Sequence, residues 1–162
     1  MARIDIPEGE GTDAIRVFAM RPEMAPAVGK LIDAAYHKSM LPTRERELAR
    51  MRVAQLNACG ACANFRAMSV RTEEGFSESL YESVAEFRSD DRFTPREKLA
   101  IEYAERFAVD HGGIDDEFFS SLRRQFTDEE IVDLTLCLGA FLGLGRFLAV
   151  LGIDEADPEF DL

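Results

Sequence analysis

Apolar residues recur at intervals of three and four along most of this 162-residue chain, which is the spacing of one buried face of an α-helix. No stretch of useful length alternates apolar and polar residues as a half-buried strand does. The pattern predicts eight helices, over about 12–20, 23–39, 44–57, 59–71, 78–88, 95 to the glycines at 112–113, 116–125 and 128–151. We therefore expect an all-α fold, a bundle of about seven to eight helices.

Side chains that can cap a helix stand at several of the predicted starts. Residues 94–97 combine a threonine hydroxyl, a proline at the first helical position and a glutamate that can bond back to the cap. Residues 127–130 form a second capping box. Thr43, Ser77 and Asp115 are predicted to cap the helices that follow them. These signals define the helix starts more closely than the apolar pattern does.

The length and composition favour one domain. A chain of 162 residues buries about 70% of its unfolded surface on folding. Hydrophobic residues make up 46% of the chain, so disorder is excluded for most of it. We predict a single all-helical domain over 1–153, followed by a loose, acidic, proline-broken tail over 154–162.

The chain is acidic, with 31 Asp and Glu against 19 Lys and Arg and a net charge of −12. Nucleic acids and anionic membranes bind basic surfaces, so we expect neither as a partner. The first residues contain no apolar signal segment, which predicts a cytoplasmic protein whose thiols are held reduced.

The apolar run 134–151 is about as long as a membrane span. Asp133 and Arg146 lie just before it and inside it, and the other predicted helices are amphipathic. We therefore expect a central helix that is buried by its neighbours or by another subunit. Glycines weaken a helix by about 1 kcal/mol each relative to alanine unless they permit close packing. The three glycines of this run, at positions 139, 143 and 145, are predicted to mark close helix crossings, either within the chain or between subunits.

Two of the three cysteines form a Cys-x-x-Cys pair, Cys59 and Cys62, and the third is Cys137. Three interpretations of the pair are open. A zinc site needs four ligands, and neither Cys137 nor the two histidines have ligand spacing, so zinc is disfavoured. The pair can also be two small core residues, a common fate of free cysteine. The third interpretation is a redox dithiol, because positions one and four of a helix share a face.

A helix start at the cysteine pair favours the redox interpretation. Asn57 and Ala58 before the pair and Gly60 within it suit a junction between two helices. Cys59 would then lie near free backbone N–H groups and the positive end of the helix dipole, which lower the pKa of a thiol. More thiolate at neutral pH means faster attack on a peroxide or a disulfide.

The stretch 47–62, Glu-Leu-Ala-Arg-Met-Arg-Val-Ala-Gln-Leu-Asn-Ala-Cys-Gly-Ala-Cys, resembles the core motif of the alkylhydroperoxidase D-like, carboxymuconolactone decarboxylase superfamily. The family pattern is a glutamate twelve residues before a Cys-x-x-Cys, with Ala-Gln-x-Asn-x-Cys between them. Looser similarity continues through 99–104 and 126–135, so the family core covers about 40–152.

This resemblance implies an all-helical fold that forms homo-oligomers, with a trimer or hexamer favoured and a dimer also allowed. It implies an enzyme, a thiol-disulfide oxidoreductase that reduces a small hydroperoxide and is reduced in turn by a dithiol or lipoyl-type donor protein. In the peroxidase branch the second cysteine, here Cys62, becomes the sulfenic acid, and the first, here Cys59, resolves it to a disulfide. Glu47 is the candidate for the proton chemistry; the alternative is a solvated helix glutamate. No organic cofactor or metal is needed.

One position departs from the family pattern. The peroxidase motif has a histidine four residues after the second cysteine, where this chain has Arg66. Arginine stays charged and cannot pass protons as histidine does. Arg66 is expected one helical turn from Cys62, where it would stabilise a thiolate, pair with Glu47, or lie at the surface. The departure puts the rate of peroxide reduction in question more than the dithiol itself.

The remaining candidates are interpreted as scaffold. His37 and His111 lie near predicted helix ends, where a cation suits the dipole, and Cys137 is predicted to be a core residue. The missing histidine supports a second hypothesis, a non-catalytic oligomeric module whose cysteine pair senses redox state or is merely packed. Lactone decarboxylation is disfavoured, because it needs no cysteine pair.

Overall fold

The computed structural model describes residues 2–71 and 75–154, and within these ranges the chain is all-α, as predicted, with no β-strand. The predicted tail over 154–162 lies, from residue 155 onward, outside the described residues. Two 3-10 turns, at Val84–Glu86 and His111–Gly113, supplement the α-helices. The helices are α1 Asp13–Ala19, α2 Ala25–His37, α3 Thr43–Leu56, α4 Gly60–Asn64, α5 Met68–Arg71, α6 Glu78–Ser83, α7 Pro95–Val109, α8 Asp116–Gln125 and α9 Asp128–Leu151.

Helix α3 lies at the centre of the fold, since it packs against both α7 and α9. Leu48 on one side of α3 belongs to a core cluster with aromatic residues of the 76–93 segment. Ala49 and Val53 belong to a second cluster formed with α7, α8 and α9. Because α3 is enclosed from several sides, four of its charged side chains are also buried, those of Glu45, Arg46, Glu47 and Arg50.

The capping side chains confirm most of the predicted helix starts. Thr94 and Thr127 each form a complete capping box with the glutamate three residues later. Ser77 and Asp115 accept a hydrogen bond from the backbone N–H three residues on. The predicted cap at Thr43 is wrong: α3 begins one residue earlier than expected, so Pro42 occupies the cap position and provides no side-chain bond.

The predicted helix over 59–71 is broken in two. Helix α4 ends at Asn64, and Phe65 is extended with ψ of 136°, so the chain leaves the helical path before α5. Carbonyl groups at a helix end need partners outside the helix. Here arginine side chains supply them: Arg50 donates to the carbonyls of Cys62 and Phe65, and Arg66 to that of Ala63.

Helix α9 is long and apolar enough to cross a bilayer, judged by length and composition alone. Its inward face is buried against α2, α3, α7 and α8. At Gly145 an added Cβ would lie 2.6 Å from Asn57 Nδ2, which confirms a close crossing there, whereas at Gly139 and Gly143 it would meet nothing within 4 Å. Among the described residues, therefore, nothing packs closely against those two glycines. Several large apolar side chains of α9 remain exposed, namely Val132, Leu136, Phe147 and Val150.

Candidate active site

The two cysteines of the Cys-x-x-Cys pair form a disulfide at the start of α4, with their Cα atoms 5.3 Å apart. Cys59 is the N-cap of the helix, and its sulfur accepts a hydrogen bond of 3.2 Å from the backbone N–H of Cys62. This confirms the predicted helix start at the pair. Ala58, the residue before the N-cap, adopts a left-handed backbone conformation with φ of 49°. This conformation is unfavourable by about 1 kcal/mol or more for any residue other than glycine.

The two sulfur atoms differ in what surrounds them. Cys59 is 1% exposed and belongs to the core, whereas Cys62 is partly exposed. Cys62 also lines a cavity of about 460 Å³, which lies within the range that binds small organic molecules. The cavity is enclosed mainly by apolar side chains of α1, α2 and α9. A molecule in this cavity can therefore meet Cys62, while Cys59 lies behind it.

Glu47 lies inside the protein and makes a bidentate ion pair with Arg50, with both N–O distances 2.7 Å. The carboxylate is 1% exposed, so the alternative of a solvated helix glutamate is wrong. The Tyr81 hydroxyl donates a further hydrogen bond of 3.1 Å to Glu47 Oε1. Burial and the Glu47 charge raise the pKa of Tyr81 above its ordinary value, so the phenol stays protonated and remains a donor.

Arg50 connects the buried carboxylate to the cysteine turn. Its Nη1 donates to the carbonyl oxygen of Cys62 at 2.6 Å, and its Nη2 donates to that of Phe65 at 3.3 Å. Burial lowers the pKa of Arg50, but the charge of Glu47 more than offsets this and the pKa lies above its ordinary value. Arg50 also lines the cavity beside Cys62. The motif does not single out Arg50, although its spacing of three residues from Glu47 on one helix is typical of a side-chain pair.

Arg66 does not pair with Glu47 and is not placed one helical turn from Cys62, because α4 ends before it. Its guanidinium makes an ion pair with Glu78, with Nη2 2.8 Å from Oε2, and lies 3.8 Å from the centre of the Tyr81 ring. The hydroxyl of that same Tyr81 faces Glu47. Tyr81 thus separates Arg66 from the carboxylate that it was expected to approach.

Two polar residues of the family motif hold the site together. Gln55 donates to the backbone carbonyl of Tyr81 at 3.1 Å. Asn57 donates to the carbonyl of Leu142 on α9 at 3.2 Å and accepts from Arg146 at 3.1 Å. A Cβ at Gly145 would lie 3.4 Å from the Cys62 sulfur, so the glycine leaves space for both Asn57 and Cys62. The sequence predicts the close crossing at Gly145, but neither its contact with Cys62 nor the bond from Arg146 to Asn57 was predicted.

The other candidates do not line the cavity at Cys62. His37 is the last residue of α2, and His111 begins an exposed 3-10 turn; neither is among the residues that line the cavity. Cys137 is buried, as predicted, and burial raises the pKa of its thiol to about 11. Among the described residues, no three His, Cys, Asp or Glu side chains are grouped as metal ligands would be.

Known proteins are similar to this chain in sequence and in fold. The model of the carboxymuconolactone decarboxylase family matches residues 22–106, which is more than half of the chain. The uncharacterized protein YnjA of Escherichia coli (strain K12) is 31% identical over 116 residues, which are 72% of this chain. The matched part is 63% of YnjA, so the similarity spans less than two thirds of that relative.

Two solved structures are similar over nearly the whole chain. ATU0492 from Agrobacterium tumefaciens, a protein of unknown function and candidate antioxidant defence protein AhpD, has a TM-score of 0.78 at 24% identity, covering 98% of this chain and 100% of that one. An uncharacterized peroxidase-related protein from Silicibacter sp. TM1040 has a TM-score of 0.80 at 18% identity, covering 94% and 90%. At these identities the likeness to the solved structures shows a shared fold. The match to the family model shows the family: the chain belongs to the carboxymuconolactone decarboxylase family.

Proposed function

We propose that this chain is a thiol-dependent oxidoreductase that uses Cys59 and Cys62 to reduce hydroperoxides. The observation that carries the proposal is the asymmetry of the pair: Cys62 lines the cavity, whereas Cys59 is buried behind it within bonding distance. A peroxide that enters the cavity meets the sulfur of Cys62 first. This supports Cys62 as the attacking residue and Cys59 as the resolving residue.

The proposed cycle has three balanced steps. The Cys62 thiolate attacks the terminal oxygen of the hydroperoxide and the O–O bond breaks. The products are a Cys62 sulfenic acid and an alkoxide, which takes up a proton to become an alcohol. The Cys59 thiol then attacks the sulfur of the sulfenic acid. The disulfide forms, and the sulfenic hydroxyl leaves with the thiol proton as water. A dithiol or lipoyl-type donor protein transfers two electrons to the disulfide and regenerates both thiols.

Arg50, rather than Arg66, is the arginine at the cysteine turn. Its side chain is buried and donates to the carbonyl oxygen of Cys62, so it holds the turn that carries the proposed attacking sulfur. Glu47 holds Arg50 in place through two hydrogen bonds and accepts a third from Tyr81. The proton-acceptor role expected for Glu47 stays a proposal.

The alternative is a non-catalytic module whose cysteine pair senses redox state or is only packed. It is supported by Arg66, which stands where the family has a histidine and which is engaged by Glu78. Such a module needs a disulfide that can form and break, but it needs no thiol activated for attack on a peroxide. The reactivity of Cys62 therefore distinguishes the two proposals.

Peroxide consumption with dithiothreitol as the donor tests the enzyme proposal. Wild type and Cys137→Ser, the matched control with a buried thiol outside the site, are expected to turn over at the same rate. Cys62→Ser is expected to lose activity, and Cys59→Ser to slow because the external thiol must reduce the sulfenic acid alone. Equal rates in all four proteins, or a Cys62 thiol with an ordinary pKa and slow alkylation, would favour the non-catalytic module.

A further inference from the structure

The cavity beside Cys62 must supply a proton if a hydroperoxide is reduced there, because the leaving oxygen departs as an alkoxide. Among the described residues that line the cavity, four have a polar atom in the side chain, namely Thr12, Tyr36, Arg50 and Cys62. Neither histidine of the chain is among the lining residues. The proton donor therefore has to be one of these four side chains or a water molecule.

Tyr36 is the lining side chain best suited to give a proton. Arg50 stays charged at any working pH, and Cys62 is the thiolate that attacks. The hydroxyl of Thr12 caps α1, where it accepts a hydrogen bond from the N–H of Ile15, and an aliphatic hydroxyl is a far weaker acid than a phenol. A tyrosine hydroxyl is an established general acid in enzymes.

Aromatic packing holds Tyr36 in the wall of the cavity. Its ring centroid lies 5.6 Å from that of Phe65 and 5.4 Å from that of Phe141. Arg50, which also lines the cavity, is the nearby charge that acts most strongly on the phenol. Among the described residues, none shares a hydrogen bond with the Tyr36 hydroxyl. The ring is thus fixed, while the hydroxyl is left to bond a molecule in the cavity.

Arg46 adds a second positive charge, on the face of the Tyr36 ring. Its guanidinium carbon lies 5.9 Å from the ring centre. Arg46 is 4% exposed, its Nε has no hydrogen-bond partner, and no carboxylate of the described residues lies within ion-pair distance of it. A buried cation without a counter-charge is unfavourable, and a negative charge that forms beside it is stabilised.

These surroundings keep Tyr36 protonated before the reaction and stabilise its anion during it. Burial raises the pKa of Tyr36 above its ordinary value, and the charge of Glu47 adds to the rise. The charges of Arg50 and Arg46 act in the opposite direction. The phenol therefore enters the reaction with its proton, and a short-lived phenolate lies near two cations.

We infer that Tyr36 is a catalytic residue, the proton donor to the oxygen that leaves when the O–O bond breaks. The Cys62 thiolate takes the terminal oxygen, the leaving oxygen takes the Tyr36 proton, and the products are a sulfenic acid, an alcohol and a Tyr36 phenolate. Water then returns a proton to the phenolate. The inference rests on the proposed function, because it concerns a step of that reaction.

The leaving group distinguishes a proton donor from a residue that only shapes the cavity. Cumene hydroperoxide releases an alkoxide, which needs a proton, whereas peracetic acid releases acetate, which is stable without one at neutral pH. Each peroxide is mixed with reduced Cys59→Ser, in which oxidation of Cys62 stops at the sulfenic acid. Quenched alkylation and mass spectrometry then give the rate at which the Cys62 thiol is lost.

Two tyrosine variants are compared in this Cys59→Ser background. Tyr36→Phe removes the hydroxyl and keeps the ring that packs on Phe65 and Phe141. Tyr103→Phe is the matched control, because Tyr103 is also buried, its hydroxyl bonds Thr135 at 2.8 Å, and it does not line the cavity. We expect Tyr36→Phe to slow the reaction with cumene hydroperoxide by about 100-fold or more. Its reaction with peracetic acid, and both reactions of Tyr103→Phe, should stay within about threefold of the Cys59→Ser reference.

Each other result has a defined meaning. If Tyr36→Phe slows both peroxides equally, or neither, the inference is overturned while the proposed function stands. If the Cys59→Ser reference reacts with neither peroxide, the proposed function is defeated and the inference with it. A measurement without any Tyr36 variant covers the case in which Tyr36→Phe fails to fold. Relative to the thiolate of free N-acetylcysteine, the reference protein should accelerate the reaction of cumene hydroperoxide more than that of peracetic acid, and equal acceleration overturns the inference.

Discussion

Arg50 donates a 2.6 Å hydrogen bond to the backbone carbonyl of Cys62 while the rest of its guanidinium holds Glu47 at 2.7 Å. This relationship joins α3, the most buried helix, to the turn that carries the disulfide. A buried ion pair is costly to assemble, but removing one partner costs far more, because the other charge is left buried and uncompensated. The position of Cys62 therefore depends on a charge pair in the core.

Replacing Arg50 by glutamine leaves Glu47 without its ionic partner in a site that is 1% exposed. We expect Arg50→Gln to lower the free energy of unfolding by about 3–5 kcal/mol. The matched control is Arg52→Gln on the same helix, whose partner Glu105 is partly exposed, and which should cost about 1 kcal/mol or less. Urea denaturation of the oxidised proteins measures both changes.

The double variant Glu47→Gln with Arg50→Gln checks the cause of that loss. Without either charge, no buried carboxylate is left unpaired, so stability should recover in part relative to Arg50→Gln alone. A double variant that loses the sum of the two single losses would show that the two side chains act independently, against the paired arrangement.

Substitution by alanine is predicted to lower the free energy of unfolding at Gly145 and to raise it at Gly143. A Cβ at Gly145 would come within 2.6 Å of Asn57 Nδ2 and 3.4 Å of the Cys62 sulfur, so Gly145→Ala should cost about 1–3 kcal/mol through overpacking. A Cβ at Gly143 meets nothing within 4 Å, so Gly143→Ala should gain up to about 1 kcal/mol from helix propensity. Thermal and urea unfolding measure the sign of each change in stability. Equal changes in the two variants would contradict the close crossing at Gly145.

The buried thiol of Cys137 predicts a pH dependence with a defined sign. Burial raises its pKa from 9.0 to about 11, so the folded chain holds this proton at a pH where the unfolded chain has released it. The contribution to stability is complete below about pH 9 and is lost as the pH rises towards about 11. With the disulfide intact, Cys137→Ala should therefore lose less unfolding free energy than wild type between these values. Parallel losses in the two proteins would show that Cys137 does not titrate in this way.

The fold was predictable from the sequence because its signals are local. The capping boxes at Thr94 and Thr127 depend on residues three positions apart, and both form as predicted. The break between α4 and α5 was not predictable in this way. It depends on Arg50, which is distant in sequence and bonds the carbonyls of Cys62 and Phe65.

The candidate site was predictable in its residues but less so in their contacts. Motif spacing identified the cysteine pair and Glu47, and the structure joins the pair at the start of α4. Spacing could not show that Arg66 turns to Glu78, because that contact depends on where the chain goes after Phe65. Nor does any local pattern show that a central helix can bury a charged pair.

The exposed side of α9 is the surface through which we expect the predicted homo-oligomer to form. Leu136 is 64% exposed, and Gly143 on the same helix has open space beside it. We expect Leu136→Lys to shift the mass measured by light scattering towards the 18.2 kDa of a single chain. Val109→Lys, an equally exposed apolar position on α7, is the control and should leave the mass unchanged. A wild-type protein that is already monomeric would contradict the prediction, as would a Leu136→Lys protein of unchanged mass.

The cytoplasmic location likewise remains a prediction, which fractionation of cells would test.

The most direct measurement of the central claim is the chemical state of Cys62 after one encounter with peroxide. Reduced Cys59→Ser is mixed with cumene hydroperoxide and dimedone, which traps sulfenic acids, and the labelled residue is identified by mass spectrometry. The account predicts a dimedone adduct on Cys62 in Cys59→Ser, and none on Cys59 in Cys62→Ser. An adduct on Cys59, or no adduct on either cysteine while peroxide is still consumed, would contradict the assignment of Cys62 as the residue that attacks the peroxide.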